Sequence, residues 1–373
     1  MTPTDTEQSI DYVTLSTWLA EGRPLTLLDV RPLDERREWA LPGSVHVDVY
    51  DRLKAGDTTA LTGVDLPADM PVVTICAAGK TSLIAAEQLR ARGLHAMSLD
   101  GGMRAWSLAW NTANVALPES VAQVIQVRRT GKGCLSYIIG AAGVAAIIDP
   151  SLDPEIYCTL AAQAGWRIAY VLETHLHADH LSRARALADR SGATLVLPAG
   201  HRVAVPFVPL HDGAALTLGD TQLTMLHTPG HTPESVTYLL DDAAIFTGDT
   251  LFLSAVGRPD LHADAAGARA KAHTLYGSLQ RLLTLPPETL VLPGHTSAPV
   301  AFDYQPIAAS LAAVRHATPL LAATAEDFVA AILARIPPTP PNHMQIIALN
   351  EQGAAIPADP TELEAGANRC AIA

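Results

Sequence analysis

Short apolar runs alternate with helical patterns through the first part of the chain. Residues 25–30 and 71–76 predict two buried strands, and 95–102 predicts a third strand that ends in a glycine turn. Residues 81–93 carry apolar or small side chains at helical spacing and finish at Gly93, which is a common helix stop. Because strands and helices alternate, this part of the chain is expected to form a parallel α/β sheet.

The remainder of the chain is richer in apolar runs of strand length, and several of these runs end in a histidine or another polar residue. A helix is predicted from about residue 180 to 191. The segment after 305 is expected to be helical before it becomes proline-rich at 336–342. The predicted strands cover 135–140, 144–150, 168–174, 193–198, 223–226, 236–240, 243–249 and 288–295.

The stretch 111–122 separates these two parts, because it loses periodicity and contains Pro118. A chain of 373 residues also exceeds the usual length of one domain. We therefore predict a first domain over 1–112, a linker over 113–122 and a second domain over 123–373.

Charge and composition exclude several classes of partner. The chain has 25 Lys and Arg against 38 Asp and Glu, a formal net charge of −13, which disfavours nucleic acid and anionic membrane surfaces. No run of about 18 apolar residues is present, so no membrane span is expected, and residues 1–10 lack the features of a signal peptide. The four cysteines include no CxxC pair, so reduced thiols and a cytoplasmic location are expected.

Residues 174–180, THLHADH, bring three imidazoles and one carboxylate into a short segment after a predicted strand. Further histidine and aspartate side chains follow three later predicted strands, and loops at strand ends are a usual place for the ligands of a metal. Imidazole and carboxylate suit zinc, iron or manganese. The candidate metal ligands are His175, His177, Asp179, His180, His231, Asp249 and His295.

These residues leave the number of metals open. A single histidine is more often structural or exposed than a ligand, but this explanation does not account for seven candidate donors at successive strand ends. Two metals would activate a bridging water for hydrolysis. One metal with open coordination positions would instead suit oxygen chemistry.

The loop 76–82, CAAGKTS, lies between a predicted strand and a predicted helix. A cysteine at this position has backbone N–H groups and the positive end of the helix dipole beside its sulfur, and both favour the anionic form. Gly79 lets the loop curl and Lys80 adds positive charge, so Cys76 is a candidate nucleophile that carries sulfane sulfur. An inert thiol at a strand end is the alternative. The residues expected to bind the substrate there are Ala77, Ala78, Gly79, Lys80, Thr81 and Ser82.

The candidate ligands resemble those of the metallo-β-lactamase fold superfamily at all seven positions, which implies an αββα sandwich with metal at one edge. More narrowly, Ala178 and the segments 246–261 and 367–370 resemble persulfide dioxygenases. That resemblance implies one Fe(II) per chain, bound by two histidines and an aspartate that leave coordination positions open. The implied iron ligands are His175, His231 and Asp249, with His177, Asp179, His180 and His295 as orienting neighbours or as ligands of a second metal.

Two further positions bear on the substrate that this family resemblance implies. Arg258 would bind an anionic thiol carrier, or it would form a structural ion pair with a nearby aspartate. Ser297 stands where better-known members of the family have a tyrosine near the thiol, so the carrier need not be glutathione, and coenzyme A and bacillithiol are the other candidates.

The N-terminal part of the chain resembles a rhodanese domain over about residues 10–110. Rhodaneses transfer sulfane sulfur through a cysteine persulfide, so the resemblance implies this role for Cys76. Active members often carry arginine where this chain has Ala77 and Thr81, which disfavours thiosulfate as the sulfur donor. The segments that carry the resemblance are 27–47, 76–82 and 99–106.

Together, the two resemblances imply a two-domain α/β enzyme of sulfide detoxification. Its C-terminal domain would oxidise a low-molecular-weight thiol persulfide with O2 to sulfite and thiol, and its rhodanese domain would move sulfane sulfur between that persulfide, sulfite and thiosulfate. Fusion raises the local concentration of one product near the other site, and the family resemblance also allows a homodimer. Two alternatives stay open: a glyoxalase-II-like thioesterase with two zinc ions or mixed metals, and an N-terminal domain that senses sulfur or docks without catalysis.

Overall fold

The N-terminal domain is a parallel sheet with helices on both faces. The computed structural model describes residues 8–117 and 120–373, and the first sheet has the strand order β1-β5-β4-β2-β3. The elements of this domain are β1 (Ser9–Ile10), α1 (Tyr12–Ala20), β2 (Thr26–Asp29), α2 (Leu33–Glu38), β3 (Val45–His46), α3 (Tyr50–Lys54), β4 (Val72–Ile75), α4 (Lys80–Ala91), β5 (Ala96–Leu99) and α5 (Gly102–Trp106).

Alternating side chains of the central strands fill two apolar cores. Leu28 and Val72 pack with the buried side chains of α3 and α4 on one face of the sheet. Their neighbours Leu27 and Val73 pack with α1 and α5 on the other face. A parallel sheet that is covered on both faces needs buried side chains at every position, which explains the continuous apolar runs in the sequence.

The C-terminal domain contains the remaining strands and helices. Its strands are β6 (Asn111–Val115), β7 (Gln123–Arg129), β8 (Cys134–Ala141), β9 (Val144–Ile148), β10 (Arg167–Leu172), β11 (Thr194–Pro198), β12 (Val208–Leu210), β13 (Ala215–Leu218), β14 (Thr221–His227), β15 (Val236–Leu240), β16 (Ala244–Gly248), β17 (Val256–Gly257), β18 (Leu290–Pro293), β19 (Ala309–Ser310) and β20 (Ala371–Ile372). Its helices are α6 (Pro154–Gln163), α7 (Ala184–Ser191), α8 (Ala265–Leu282), α9 (Leu311–Ala317), a 3-10 turn (Pro319–Ala322), α10 (Ala325–Leu333), α11 (His343–Gln352) and α12 (Thr361–Glu364).

Two mixed sheets pack face to face in this domain. Their strand orders are β12-β11-β10-β9-β8-β7-β6 and β13-β14-β15-β16-β18-β19. Side chains of both sheets, among them Ile148, Leu172, Phe246 and Leu292, form the core between them. Because α6 and α7 cover one outer face and α8, α9 and α10 cover the other, the predicted αββα sandwich is confirmed. Within 8–117 and 120–373, no helix combines the length and the apolar character that a membrane crossing requires.

The start of the predicted linker differs from the structure. Residues 113–115 belong to β6, which pairs antiparallel with β7 and buries alternate side chains. The predicted boundary after residue 112 therefore falls inside the edge strand of the seven-stranded sheet. The polar residues of this short strand mask its period-two burial in the sequence. Pro118, which suggested the linker, lies outside the described residues.

The helix predicted from about residue 180 begins only at Ala184. The backbone N–H groups of Leu181 and Ser182 bond to the side chains of Glu364 and Asn350 at 2.8 and 2.9 Å. These contacts hold the preceding residues as a loop. The partners come from the far end of the chain, so local periodicity could not reveal them.

The turn between β7 and β8 packs directly against the N-terminal domain. Arg129 donates from Nε to the carbonyl oxygen of Ser107 at 2.7 Å, and the N–H of Gly131 donates to Ala109 at 3.2 Å. A Cβ at Gly131 would lie 1.7 Å from the carbonyl oxygen of Trp106. The two domains therefore share a close interface that requires glycine at this position.

A buried ion cluster joins the C-terminal part of the chain to the same turn. Glu364 in α12 pairs with Arg129 at 2.8 Å and with Arg183. Lys132 donates to the backbone carbonyl of Glu364 at 2.7 Å. Burial raises the pKa of Glu364, but Arg129 and Arg183 lower it further, to about 2. One buried carboxylate thus pairs with two buried guanidinium groups, and the cluster ties α12 to the turn between β7 and β8.

Replacing Glu364 with Gln should lower the free energy of unfolding at neutral pH by about 3 kcal/mol, because Arg129 and Arg183 would lose their buried counter-charge. The folded-state pKa lies below the unfolded value of 4.5, so the wild-type protein should lose this stabilisation as the pH falls from 4.5 to about 2. Urea denaturation at pH 7 measures the first effect, and a series of denaturations from pH 7 down to about 2 measures the second. The control Glu362→Gln removes an exposed pair with Arg104 and should cost less than about 0.5 kcal/mol; equal losses in both variants would contradict the assignment.

Candidate metal centre

The histidine motif follows the end of β10 and is held from two sides. Thr174 donates its N–H to Asp149 Oδ1 and its hydroxyl to Oδ2, both at 2.7 Å. Asn350 in α11 donates its side-chain amide to the carbonyl oxygens of His177 and His180, both at 2.9 Å. The loop is therefore fixed before any ligand binds, as a metal site with precise geometry requires.

Gly248 brings the opposite strand close to this loop. Its φ of +49° lies in the left-handed region, and a Cβ there would fall 2.3 Å from Thr174 Oγ1. Only glycine fits both the backbone conformation and the space. The next residue, Asp249, is thereby directed towards the histidines.

Hydrogen bonds assign the tautomers of two histidines. The Thr174 hydroxyl uses its single hydrogen on Asp149, so it must accept from His175 Nδ1, which lies 2.8 Å away. His231 Nδ1 likewise donates to the carbonyl oxygen of Arg258 at 2.8 Å. Each ring therefore carries its hydrogen on Nδ1 and presents the lone pair of Nε2, which is the form that binds a metal.

The Nε2 atoms of these two histidines meet one oxygen of Asp249. His175 Nε2 and His231 Nε2 lie 3.6 and 3.7 Å from Asp249 Oδ2, and the three side chains are buried. His175 Nε2 and Asp249 Oδ2 have no hydrogen-bond partner. Neighbouring donors on one metal lie roughly 3.0–3.5 Å apart when each is about 2.1 Å from it. A divalent cation among these three atoms would satisfy buried groups that are otherwise costly to leave unpaired.

The charge states of the three side chains also suit a metal. Burial, followed by the neighbouring His177, lowers the pKa of His175 well below its ordinary value. Burial lowers the pKa of His231 in the same way, so both rings are neutral near pH 7. Burial would raise the pKa of Asp249, but His295 and His175 lower it further, and the carboxylate is ionised. Two neutral imidazoles and one carboxylate are thus ready to bind a divalent ion.

A second group of possible metal ligands lies beside the first group, which consists of His175, His231 and Asp249. The members of the second group, Cys134, Asp179, His180 and His295, contact one another closely. His295 lies between the two aspartates, with Nδ1 2.5 Å from Asp249 Oδ1 and Nε2 3.0 Å from Asp179 Oδ2. His180 Nδ1 lies 3.0 Å from Asp179 Oδ1. The thiol of Cys134 lies 3.6 Å from Asp179 Oδ2 and 3.9 Å from His180 Nδ1. The four side chains of this group could also surround a metal.

His177 adjoins the first group through its ring. The ring centroids of His175 and His177 are 4.3 Å apart. Its Nε2 lies 3.4 Å from Asp149 Oδ1 and 3.8 Å from Glu173 Oε1, and neither ring nitrogen has a hydrogen-bond partner. All seven candidate ligands from the sequence are therefore brought into one buried cluster at the edge of the sandwich.

Several residues of this cluster were not anticipated from the sequence. Cys134 opens β8 and lies in the second group; its place at a strand end was a signal like that of the histidines. Burial and Asp179 raise the pKa of its thiol, but His180 and His295 lower it, to about 6. Cys370 also reaches the cluster, beside Asp249 and His295, from a tail that local patterns could not place.

Arg258 does not have the substrate-binding role considered for it. Its guanidinium is fully buried and forms two hydrogen bonds with the carboxylate of Asp260, at 2.9 and 2.8 Å. The remaining N–H groups donate to the carbonyl oxygens of Pro337, Pro338 and Arg369. No donor is left for a substrate anion. The structural ion pair, which was the other interpretation of the sequence, accounts for this residue, and Arg258 fixes the C-terminal tail.

The loop at Cys76 forms a separate candidate site in the N-terminal domain. Cys76 is buried, and its sulfur accepts a hydrogen bond from the Ser82 hydroxyl at 3.2 Å. Gly79 has φ +81°, and a Cβ there would lie 2.7 Å from the N of Gly101. Among the other residues of the loop, Ala77 is half-buried, Ala78 and Lys80 are exposed and Thr81 is buried. The structure therefore brings Ser82 to the sulfur and leaves the Lys80 side chain towards solvent.

Comparison with known families agrees with this division into two domains. Residues 129–295 match the metallo-beta-lactamase superfamily, and residues 13–109 match the rhodanese-like domain. The chain therefore belongs to the metallo-beta-lactamase superfamily and carries a rhodanese-like domain in front of it.

Curated relatives match less than half of the chain. A hydroxyacylglutathione hydrolase of Methylococcus capsulatus is 38% identical over 156 residues, which are 41% of this chain and 57% of that protein. A hydroxyacylglutathione hydrolase of Acidiphilium cryptum is 38% identical over 184 residues, 48% of this chain and 72% of that protein. The chain thus spans little more than half the length of the first of these relatives.

Solved structures resemble a larger part of the chain. ETHE1 from Myxococcus xanthus is 30% identical, with a TM-score of 0.55 over 62% of this chain and 98% of that chain. A metallo-beta-lactamase from Staphylococcus aureus is 26% identical, with a TM-score of 0.58 over 63% of this chain and 75% of that chain.

Replacing Asp260 with Asn should destabilise the C-terminal tail, because the buried guanidinium of Arg258 would lose its counter-charge. We expect a loss of about 3 kcal/mol in unfolding free energy, with faster proteolysis after residue 360. Thermal unfolding and limited proteolysis measure these effects. Asp264→Asn is the matched control: Asn also caps α8 well, so its stability should change by less than about 0.5 kcal/mol. An Asp260 variant as stable as this control would contradict the anchoring role of Arg258.

Proposed function

We propose that this chain is a persulfide dioxygenase with one iron per chain, coupled to sulfur transfer at Cys76. The observation that carries the proposal is the contrast between two aspartates. Asp249 Oδ2 and the neighbouring His175 Nε2 have no hydrogen-bond partner, whereas both oxygens of Asp179 have donors. This contrast favours one metal among His175, His231 and Asp249.

His175, His231 and Asp249 would hold the iron, and a bound iron with this set of ligands would supply oxygen chemistry next to the persulfide. The residues of the chain fix and enclose these ligands. Thr174 and the carbonyl oxygen of Arg258 hold the rings of His175 and His231 so that both Nε2 atoms face Asp249. Burial of the three side chains keeps bulk water away from the reacting sulfur.

The proposed reaction balances with water and oxygen alone. The persulfide RSSH, O2 and H2O give the thiol RSH and sulfurous acid, which ionises to sulfite. The S–S bond breaks, the sulfane sulfur is oxidised and O2 is reduced. The thiol carrier leaves unchanged and can accept sulfane sulfur again, which suits a low-molecular-weight thiol such as glutathione, coenzyme A or bacillithiol.

The rhodanese-like domain would act on the same pool of sulfur. The Cys76 thiolate attacks the sulfane sulfur of RSSH, releases RSH and becomes a cysteine persulfide. Sulfite formed at the metal centre then accepts this sulfur as thiosulfate and regenerates Cys76. The Ser82 hydroxyl, 3.2 Å from the sulfur, can stabilise the anionic form at each stage.

A second candidate function is thioester hydrolysis at two metals. The curated relatives named hydroxyacylglutathione hydrolase favour it, and a group of donors for a second ion is present. In that case His177, Asp179, His180 and His295 would also be metal ligands, and the two ions would supply an activated water for hydrolysis. Two observations disfavour this function. Asp179, which would be a ligand of the second ion, already accepts a hydrogen bond from Asn368. The rhodanese-like domain is also suited to sulfur transfer rather than to acyl transfer.

Oxygen uptake tests the proposed function directly. Iron-loaded protein should consume O2 with glutathione, coenzyme A or bacillithiol persulfide and should release about one sulfite per O2. Asp249→Ala should lower kcat/KM at least about 100-fold, because the iron loses a ligand. The exposed Asp242→Ala, in the turn after β15, serves as the control and should keep full activity. Hydrolysis of a lactoyl thioester by a two-zinc form, without O2 uptake, would contradict the proposal and support the alternative.

Cys76→Ser should abolish transfer of sulfane sulfur to sulfite while leaving persulfide-dependent O2 uptake unchanged, because the two sites lie in different domains. Thiosulfate formation and oxygen uptake are measured on the same preparation. Cys158→Ser, which changes a half-buried thiol on α6, is the control and should retain both activities. Unchanged sulfur transfer in the Cys76 variant would instead indicate a sensing or docking domain.

A further inference from the structure

The two aspartates of the centre differ in the donors that they face. No hydrogen bond reaches Asp249 Oδ2. Asp179 Oδ2 accepts a hydrogen bond from Asn368 Nδ2 at 3.2 Å and lies 3.6 Å from the thiol of Cys134, while Oδ1 lies 3.0 Å from His180 Nδ1. His295 Nε2 also lies 3.0 Å from Asp179 Oδ2. Each oxygen of Asp179 is therefore already in contact with a polar group of the protein, whereas Asp249 Oδ2 has no hydrogen-bond partner.

The orientation of the Asn368 amide is fixed by its other end. Its Oδ1 accepts the backbone N–H of Cys370 at 2.8 Å, so the NH2 group must face Asp179. The tail that carries both residues is pinned in turn, because the N–H of Arg258 donates to the carbonyl oxygen of Cys370 and β20 pairs with β17. Asn368 is thus a positioned donor and not a freely rotating amide.

Lys132 adds positive charge at the same place. Its side chain is almost fully buried, and its ammonium lies 2.7 Å from the carbonyl oxygen of Glu364 and 3.9 Å from Asp179 Oδ2. A divalent ion bound by Asp179 would lie close to this ammonium in a buried region, where like charges repel strongly. Lys132 therefore opposes a second cation.

Donors for a second ion nevertheless remain. The Nε2 atoms of His180 and His295 are buried and have no hydrogen-bond partner. Asp249 Oδ1, which lies next to His295, is a third possible donor to a second ion. A second ion at this group would have to compete for Asp179 with the donors that already contact it. It would also lie close to the positive charge of Lys132.

We propose that Asn368 and Lys132 restrict the centre to one metal by engaging Asp179 and by placing positive charge beside it. Asn368 and Lys132 would thereby favour oxygen chemistry at one metal over hydrolysis at two metals, although the ligands for both are present. This inference deepens the proposed function and rests on its single-metal centre. It predicts that removal of these two donors turns the second group into a site for a divalent ion such as Zn²⁺.

The test is a metal count on full-length protein. Metal-free wild type and Lys132→Met/Asn368→Leu are incubated with excess Zn²⁺, desalted and analysed by mass spectrometry of the elements. The wild type should bind about one ion per chain and the double variant about two, a twofold rise. The single variant Asn368→Asp provides the same test with little change in size, because it replaces a donor by an additional oxygen ligand and should also bind about two.

Asn111→Leu is the matched control, since it removes an equally buried amide that bonds to Arg128 and lies away from the donors. It should bind about one ion, like the wild type. A wild type that binds two ions, or a folded Asn368→Asp variant that still binds one, would overturn the inference. These counts do not depend on catalysis, so a failure of oxygen uptake in a one-metal wild type would refute the proposed function alone.

Discussion

The metal centre depends on the carboxylate of Asp249, whose two oxygens have different roles. Oδ2 faces the Nε2 atoms of His175 and His231 and has no other partner. Oδ1 lies 2.5 Å from Nδ1 of His295 and so links the first group of donors to the second. Its position follows from Gly248, whose left-handed backbone alone allows β16 to approach the histidine loop.

The centre is assembled from segments far apart in the sequence. Both sheets of the sandwich contribute strand ends, and α11, α12 and the C-terminal tail hold the loop between them from outside. The turn at Arg129 and Lys132 contacts the N-terminal domain on one side and Glu364 on the other. Packing of the two domains and the environment of Asp179 are therefore physically connected, through buried charges rather than through a flexible linker.

Strand periodicity and polar residues at strand ends are local signals, and they predicted the α/β elements and pointed to seven candidate ligands. The sandwich and the rhodanese-like domain were implied by resemblance to known families. The contacts of the C-terminal tail could not be predicted from local sequence patterns. Asn368, Cys370 and Glu364 contact residues that are distant in the sequence, so their roles are visible only in the folded chain. Arg258 illustrates the same limit: its charge suggested an anion site, while its partners, which include distant backbone carbonyls, make it an anchor.

The proposed function requires one iron held by His175, His231 and Asp249 and accessible to small ligands. Nitric oxide binding to anaerobic, iron-loaded protein, followed by electron paramagnetic resonance, measures this property. We expect a half-integer-spin iron–nitrosyl signal that integrates to about one per chain and disappears in Asp249→Ala. A signal far below the iron content, from two magnetically coupled irons in each chain, would contradict it.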